Sequence, residues 1–311
     1  MRASAMGTYL ARRGIRMAII LVISSILVFY SLRFAPGDPS GVALNPAALE
    51  EVREAYRERL GLNRPVYTQY LHYVSNLVRG DLGVSMINGA RIADMLTTYG
   101  KNSLILGLSA TIVTYAIGIP LGMLAAARRN TWIDSMISGF AALGMGIPNF
   151  WLALLLVYFF SSQLRWLPTS GTGSWKHLIM PTIVLAAEGI AVTVRMMRSS
   201  MLEQLGQDFV RTHRAKGLSD WVVVGRRVSR TALIPVISLA GLRLGWLIGY
   251  ALIVETIFRW PGVGYLLVDS VLRRDYPVAQ FFSLLLVFMV LISNLLADIA
   301  YGIADPRIRH A

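Results

Sequence analysis

The chain has 311 residues, of which 55% are hydrophobic and 15% charged, so it carries more apolar surface than one soluble core could bury. Its net charge of +13 comes from basic residues that alternate with long apolar stretches, which argues against the continuous basic surface that nucleic acid binding needs. The absence of cysteine excludes disulfides, thiolate metal sites and cysteine nucleophiles.

Six apolar stretches are long enough to cross a hydrocarbon core, which takes about 20 helical residues. Backbone groups in lipid must be satisfied within their own segment, and no stretch alternates like a strand, so helices are predicted. The predicted spans are 16–34, 102–127, 136–160, 178–197, 232–258 and 279–303. The apolar run of the first span, Met17 to Leu32, follows Arg12, Arg13 and Arg16, but no convincing cleavage site comes after it, which favours an uncleaved span over a signal peptide.

Basic residues are distributed unequally between the two sides of the predicted membrane segment. With a cytoplasmic N-terminus, the inside segments hold Arg2, Arg12, Arg13, Arg16, Arg128, Arg129, the basic cluster from Arg195 to Arg230, Arg307 and Arg309. The short outside loops hold only Arg165, Lys176, Arg259, Arg273 and Arg274. Because Lys and Arg concentrate in cytoplasmic loops, both termini are predicted to be cytoplasmic, which agrees with an even number of spans.

The hydrophilic segment 35–101 is predicted to lie outside the membrane. Asn45 and Pro46 precede a helix over 47–60 that ends at Gly61, a pattern of N-cap, first-turn proline and C-terminal glycine. A second amphipathic helix is predicted from Pro65 to Val78, with one side formed by Tyr67, Tyr70, Leu71, Val74 and Leu77 or Val78. The segment is either a cap packed on the outer ends of the spans or a docking surface or lid for a delivery protein.

The hydrophilic segment 198–231 is predicted to be cytoplasmic. Helix formers from Glu203 onward end at Gly217, and a helix restarts near Ser219 and runs through Arg230 toward Pro235. A short helix, a glycine break and a second helix would form a protrusion able to transmit force to a soluble partner. An ordinary solvated basic loop is the alternative interpretation.

Two ionisable residues fall near the middle of predicted spans, Glu188 in the fourth and Arg243 in the fifth. A charge at that depth is costly and is normally paired or facing water. Since these two spans run in opposite directions, we expect the side chains at similar depth, either paired between adjacent helices or on opposite sides of a translocation cavity. Their role is either to fix packing or to contact a zwitterionic cargo, whereas Glu255 and Arg259 are expected to support the outer loop.

Glycine and proline recur inside the second and third spans, at Gly118, Pro120, Gly122, Gly144, Gly146 and Pro148. Small residues allow close helix packing. Hinge motion during alternating access is the alternative explanation.

The chain lacks the signatures of its own energy source or catalytic centre. Its one Gly-Lys pair, Gly100 and Lys101, has neither the upstream glycine nor the following hydroxyl residue of a phosphate-binding loop. No hydrolytic motif occurs, and the four histidines, His72, His177, His213 and His310, are scattered over hydrophilic segments. We therefore predict no catalytic residue, no metal site and no cofactor in this chain, with energy supplied by a partner or an ion gradient.

Several motifs in order resemble one family. Val210-Arg211-Thr212-His213-Arg214-Ala215-Lys216-Gly217, followed eighteen residues later by Pro235, resembles the cytoplasmic coupling motif of the peptide and nickel permeases of ABC importers. His213 departs from the alanine expected in that motif. Further matches are Leu62-Asn63-Arg64-Pro65, Gly80-Asp81-Leu82-Gly83, Ile147-Pro148-Asn149-Phe150-Trp151, Val254 to Gly264, Arg274 to Val278 and Asp305 to Arg309.

The resemblance implies an all-helical type I importer permease in the cytoplasmic membrane of a bacterium, surrounded by lipid. Such a permease pairs with a second homologous permease, rests on two cytoplasmic ATPase subunits that bind ATP and Mg, and receives cargo from an extracytoplasmic binding protein. The residues that would couple to the ATPase are Arg211, Thr212, His213, Arg214, Ala215, Lys216, Gly217 and Leu218. The organisation is then 1–101, the first span plus an extracytoplasmic cap, and 102–311, a five-span core that includes the coupling segment 198–231.

Peptides are the predicted cargo, and nickel or a nickel chelate is the alternative within the same architecture. An ion-coupled secondary transporter is the alternative from another class, although such folds are often built from inverted repeats and none is evident here. A channel would need a ring-forming filter motif, and a membrane sensor would need a soluble effector domain; the sequence shows neither.

Overall fold

The structure is a computed structural model that describes residues 2–34, 49–59 and 61–304, and it leaves out the side chains of 2–11, 59, 242, 244, 246 and 297–304. The described regular structure is helical, with one isolated bridge between Val84 and Arg91. The first five helices are α1 (Arg2–Phe34), α2 (Glu50–Arg59), α3 (Val66–Val78), α4 (Ile92–Ala127) and α5 (Trp132–Gly146). The remaining helices are α6 (Asn149–Leu156), α7 (Lys176–Leu205), α8 (Asp208–Ala215), α9 (Asp220–Val222), α10 (Ser229–Ile257), α11 (Val263–Leu272) and α12 (Tyr276–Ala304). The π-helical turn Val157–Gln163 extends α6, and a second π-helical turn, Val223–Val228, joins α9 to α10.

Each predicted span coincides with a helix or a helix pair. Four segments are long and apolar enough to cross a membrane, and the pair α5 and α6 makes a fifth if it counts as one span. The four are Arg12–Phe34, Ile92–Ala127, Lys176–Leu205 and Tyr276–Leu296. The fifth predicted span lies in α10, whose last part, Leu247–Ile257, is a shorter apolar helical stretch. The all-helical, multi-pass prediction is thereby confirmed.

Residues divide into two compact units, Met1–Ser103 with Pro261–Leu291 and Leu104–Trp260 with Ile292–Ala311. The predicted division at residue 101 stays a prediction.

In the first unit, the segment after α1 packs on that helix. Arg33 Nε donates to Gln69 Oε1 at 2.9 Å, and the hydroxyls of Ser25 and Tyr70 lie 2.8 Å apart. Tyr67 and Leu71 are more than half exposed, whereas Tyr70 and Tyr73 contact the ring of Phe29. The predicted helix is therefore present, and its contacts with α1 are made by Tyr70 and Tyr73, whereas Tyr67 and Leu71 are left exposed.

The start of α4 differs from the predicted start of the second span. The helix begins at Ile92 and not near residue 102, so residues 92–101 are helical. Ile92 is fully buried in an apolar cluster with Val263, Leu266, Val278 and Phe282, and Met95, Leu96 and Tyr99 pack against it. This burial stabilises the additional helical turns. Asn45 and Pro46, the predicted cap of the preceding α2, lie outside the described residues, whereas Gly61 has the positive φ of +66° expected after a helix.

In the second unit, the third predicted span is bent and not straight. The axes of the two halves, α5 and the helix Asn149–Gln163, differ by 103° across Ile147 and Pro148. A residue before proline is pushed away from helical geometry, and Ile147 has φ −87° and ψ 119°. The predicted third span, 136–160, is therefore a bent helix pair with its break at Ile147 and Pro148.

Helices α4 and α7 approach each other closely along a line of small residues. A Cβ placed on Gly118 would lie 2.8 Å from Thr193 Cβ, and one on Gly122 would lie 2.7 Å from Met197 Cβ. On the other helix, a Cβ on Gly189 would lie 2.8 Å from Thr114 Oγ1. Residue numbers rise together on both helices, so the two run parallel, as expected for the second and fourth spans. Gly118 and Gly122 thus have the packing role that was one of their two predicted explanations.

Candidate functional site

The predicted coupling segment folds as a short helix that ends at a glycine. α8 covers Asp208–Ala215, and Gly217 follows with φ +75°. The Gly217 amide donates to the Arg214 carbonyl at 2.9 Å, and the Leu218 amide donates to the His213 carbonyl at 3.3 Å. These bonds satisfy the last carbonyls of the helix and need a left-handed residue at position 217, which glycine adopts without a steric cost. The chain then restarts as a helix at Asp220, close to the predicted position.

A buried side chain fixes this elbow, which we define as residues 208–218. Val210 is 1% exposed and lies in an apolar cluster with residues from three other elements: Met197 and Met201 of α7, Val223 and Val228 of the π turn, and Ala232 of α10. Any displacement of the elbow must therefore move the adjoining ends of α7 and α10, because close-packed interiors transmit strain. The sequence motif included Val210 without indicating this anchoring role.

The opposite side of the elbow is exposed and mostly cationic. The side chain of Arg211 is 84% exposed, and Lys216 is also exposed. Arg214 Nε lies 2.9 Å from Asp220 Oδ1, which joins the elbow to the start of α9. Trp221, 82% exposed, extends this surface and was not among the predicted coupling residues. His213 faces differently, since its ring contacts Phe209 with the ring centroids 6.0 Å apart.

The two predicted intramembrane charges come together on facing helices. Arg243 Nη2 of α10 lies 3.5 Å from Glu188 Oε1 of α7, with the side chains 19% and 28% exposed. The Tyr250 hydroxyl is hydrogen-bonded to Glu188, and Tyr115 lies within electrostatic range of Arg243. The result is a partly exposed group of one anion, one cation and two hydroxyls on the apolar background of the spans. Sequence reasoning missed both tyrosines, because nothing in their spacing marks them.

In the first unit, a buried carboxylate holds the segment from Arg274 to Val278, one of the motifs that carry the family resemblance. Asp275 accepts hydrogen bonds from the Ser85 hydroxyl, from the Met86 amide at 3.0 Å and from the Val278 amide. Burial raises the pKa of Asp275, although these three donors act against the shift. The carboxylate thus joins the loop after α3 to the start of α12.

Glu255 lies in the last turn of α10, in the second unit, and Arg259 follows the end of that helix. Glu255 is fully buried, and its carbonyl accepts the Trp260 amide at 2.9 Å, while Arg259 has φ +44°. The neighbouring Phe258 carbonyl accepts the Gly171 amide at 2.9 Å. These contacts are compatible with the predicted support of an outer loop. In the described part of the chain, no group of three His, Cys, Asp or Glu side chains is arranged to hold a metal ion.

Comparison with known proteins gives matches over nearly the whole chain. Residues 118–310 match the family described as "Binding-protein-dependent transport system inner membrane component", and residues 6–91 match its N-terminal counterpart. The glutathione transport system permease protein GsiC of Escherichia coli strain K12 is 40% identical over 302 residues, which cover 97% of this chain and 99% of that protein. GsiC of Shigella flexneri serotype 5b has the same identity and coverage.

A solved structure of the MetNI methionine ABC transporter in inward-facing conformations has the same fold. Its matching chain has a TM-score of 0.58 and 18% identity, with 68% of this chain and 96% of that chain covered. The predicted type I importer fold is thereby confirmed. From the family matches and from the 40% identity, the chain belongs to the peptide and nickel family of ABC importer permeases and is a multi-pass permease subunit of the inner membrane.

Proposed function

We propose that this chain moves small peptides, with glutathione as the first candidate, inward through the membrane as one of two paired permease subunits. A binding protein delivers the cargo from outside, and two cytoplasmic ATPase subunits bind and hydrolyse ATP with Mg. The observation that carries the proposal is the elbow, which is exposed and cationic on one side and anchored by Val210 to two long helices on the other.

The elbow is suited to receive mechanical work. The segment Arg211 to Leu218 docks on the ATPase, and closure of the nucleotide sites pushes the elbow. Because Val210 is enclosed by side chains of α7 and α10, the push reaches the helices that carry Glu188 and Arg243. The chain has no phosphate-binding loop of its own, so hydrolysis belongs to the partner subunits.

The cargo assignment rests on the relatives and on the intramembrane group. The curated relatives are named for glutathione transport. A peptide has a carboxylate that suits the Arg243 guanidinium and an ammonium that suits Glu188, and the Tyr250 hydroxyl adds a neutral donor. The side chains of Arg243 and Glu188 are 19% and 28% exposed, so a passing peptide can reach both charges.

The test is reconstitution of the complete transporter in proteoliposomes with its ATPases, partner permease and binding protein. We expect uptake of labelled glutathione or a dipeptide that requires ATP hydrolysis. Uptake by the permease without ATPase subunits, driven by a proton gradient, would refute the importer role. Uptake of nickel in place of peptides would refute the cargo assignment alone.

Variants then separate the two parts of the site. Reversing the charges at Arg211 and Lys216 should abolish uptake and remove the stimulation of ATP hydrolysis by loaded binding protein. Arg243→Gln and Glu188→Gln should reduce uptake while leaving ATPase assembly intact. The matched control is Arg273→Gln, which breaks the Arg273–Asp269 pair, 2.9 Å, within the first compact unit, whereas both parts of the site belong to the second. If Glu188→Gln transports normally and is as stable as wild type, neither a cargo role nor a packing role for the pair survives.

A further inference from the structure

Asp134 and Arg198 form a two-pronged ion pair that the function described so far does not use. Arg198 Nε lies 2.6 Å from Asp134 Oδ1, and Arg198 Nη2 lies 2.7 Å from Oδ2. The side chain of Asp134 is only 6% exposed and that of Arg198 30%. The parallel bonds match the planar fork of a guanidinium, so lysine could not reproduce this geometry.

The same carboxylate also holds the connection between α4 and α5. The Asn130 amide donates to Asp134 Oδ2 at 3.0 Å, and the Ser138 hydroxyl donates to Oδ1 at 3.3 Å. Asn130 has φ +61°, so the chain turns sharply at this point. Four donors therefore converge on one buried carboxylate, which joins the α4–α5 turn and the first turns of α5 to α7.

This pair differs from the ion pairs of the elbow. Arg211 and Asp208 are 84% and 97% exposed, and Arg214 and Asp220 are also largely exposed. Exposed pairs contribute little, whereas removal of one partner of a buried pair leaves an uncompensated charge. Among these three pairs, only Asp134 and Arg198 can hold two elements together against an applied force.

The position of Arg198 gives the pair its role. Arg198 lies on α7 between Met197 and Met201, which are both fully buried in the cluster that encloses Val210 of the elbow. The turn of α7 that contacts Val210 of the elbow is thus the same turn that binds Asp134 through Arg198. The α4–α5 turn and the elbow are both attached to it, although they are far apart in the sequence.

We propose that Asp134 and Arg198 are positioning residues that make the start of α5 move with the elbow when the ATPase closes. This inference rests on the proposed function, because it assigns a path to the force that the elbow receives. Without the pair, closure of the ATPase moves the elbow and α7 but not α5. Each ATP hydrolysed then moves less cargo.

The first experiment measures ATP hydrolysed per glutathione imported in the reconstituted transporter. Asp134→Asn and Arg198→Lys, each alone, should raise this ratio about fivefold or more, the range of typical coupling free energies. Loss of correctly folded protein lowers hydrolysis and uptake together and leaves the ratio unchanged, so the ratio distinguishes coupling from stability. Arg273→Gln is the control and should leave the ratio at the wild-type value. A wild-type ratio in both variants would overturn the proposal.

The second experiment needs neither ATPase nor cargo. The chain has no cysteine, so spin labels can be attached to Arg129→Cys and Ser219→Cys, two exposed positions at the α4–α5 turn and just after the elbow. We expect one narrow distance distribution in the otherwise wild-type chain and a broader one when Asp134→Asn is added. Identical distributions would overturn the proposal even if the importer role stands. Conversely, glutathione uptake by the permease without ATPase subunits would refute the proposed function. The measured distances would still show whether the Asp134–Arg198 pair holds the α4–α5 turn to the elbow.

Discussion

The contact between Thr114 of α4 and Gly189 of α7 gives a quantitative test of the helix seam. Gly189→Ala would place a Cβ 2.8 Å from Thr114 Oγ1, 2.9 Å from Thr114 Cγ2 and 3.5 Å from Thr114 Cβ. The first two distances are too short for atoms that are not bonded, and the third is an ordinary contact. Overpacking of this kind costs about 1–3 kcal/mol. Replacement of glycine by alanine in a helix returns up to about 1 kcal/mol.

The second substitution in the cycle is Thr114→Ala, which removes both offending atoms and keeps the Cβ. In that background Gly189→Ala should no longer destabilise the protein, so the two substitutions should be coupled by about 1–3 kcal/mol. The assay is the free energy of unfolding in mixed detergent micelles, followed by circular dichroism as the denaturing detergent is increased.

The matched control is Gly139→Ala in α5, where a Cβ would meet nothing within 4 Å. This variant should be as stable as wild type or slightly more stable. Equal effects of Gly189→Ala in the two Thr114 backgrounds would show that α4 and α7 do not pack as described. A Gly189→Ala variant that is as stable as Gly139→Ala would also show that α4 and α7 do not pack as described.

Three further predictions concern single residues. Gly217→Ala should strain the left-handed position that follows α8 within the elbow by about 1–2 kcal/mol and lower uptake while the ATPases stay bound, as measured by co-purification together with uptake. Burial raises the pKa of Asp275, so its favourable contribution is complete below the pKa of an unfolded aspartate and falls as pH rises through the raised value. Wild type should therefore gain stability relative to Asp275→Asn on acidification from neutral pH, and a constant difference in unfolding temperature across pH would contradict this. Pro148→Ala removes the restriction on Ile147, so spin labels in α5 and α6 should report a straighter pair; an unchanged distance would show that packing alone maintains the bend.

The membrane segments and the elbow could be predicted because their signals are local. A segment in lipid must be apolar and must satisfy its own backbone wherever its neighbours lie, so hydropathy was sufficient to find the helices. Gly217 marks the end of α8 because its left-handed backbone follows from the hydrogen bonds of that helix alone. The pairing of Glu188 with Arg243 was also among the expectations, since two isolated charges at equal depth have few other partners.

Other features depended on information that is absent from any single segment. Pro148 predicts that Ile147 leaves helical geometry, but the 103° angle depends on what the two halves pack against. Asp134 and Arg198 are separated by 64 positions, and both look like ordinary charges at the ends of apolar helices. Their contact requires the third and fourth spans to be rotated so that these two turns face each other.

The sequence by itself determined that several apolar helices cross the membrane and where the elbow breaks. Those properties follow from chain-local hydropathy and backbone geometry. Only the tertiary structure decided that Val210 anchors the elbow, that Tyr250 joins the Glu188–Arg243 pair and that α4 and α7 meet at Gly118, Gly122 and Gly189. The physical reason is that helical periodicity gives each helix a set of faces, and the rotation of each helix about its axis is set only when all of its neighbours pack at once.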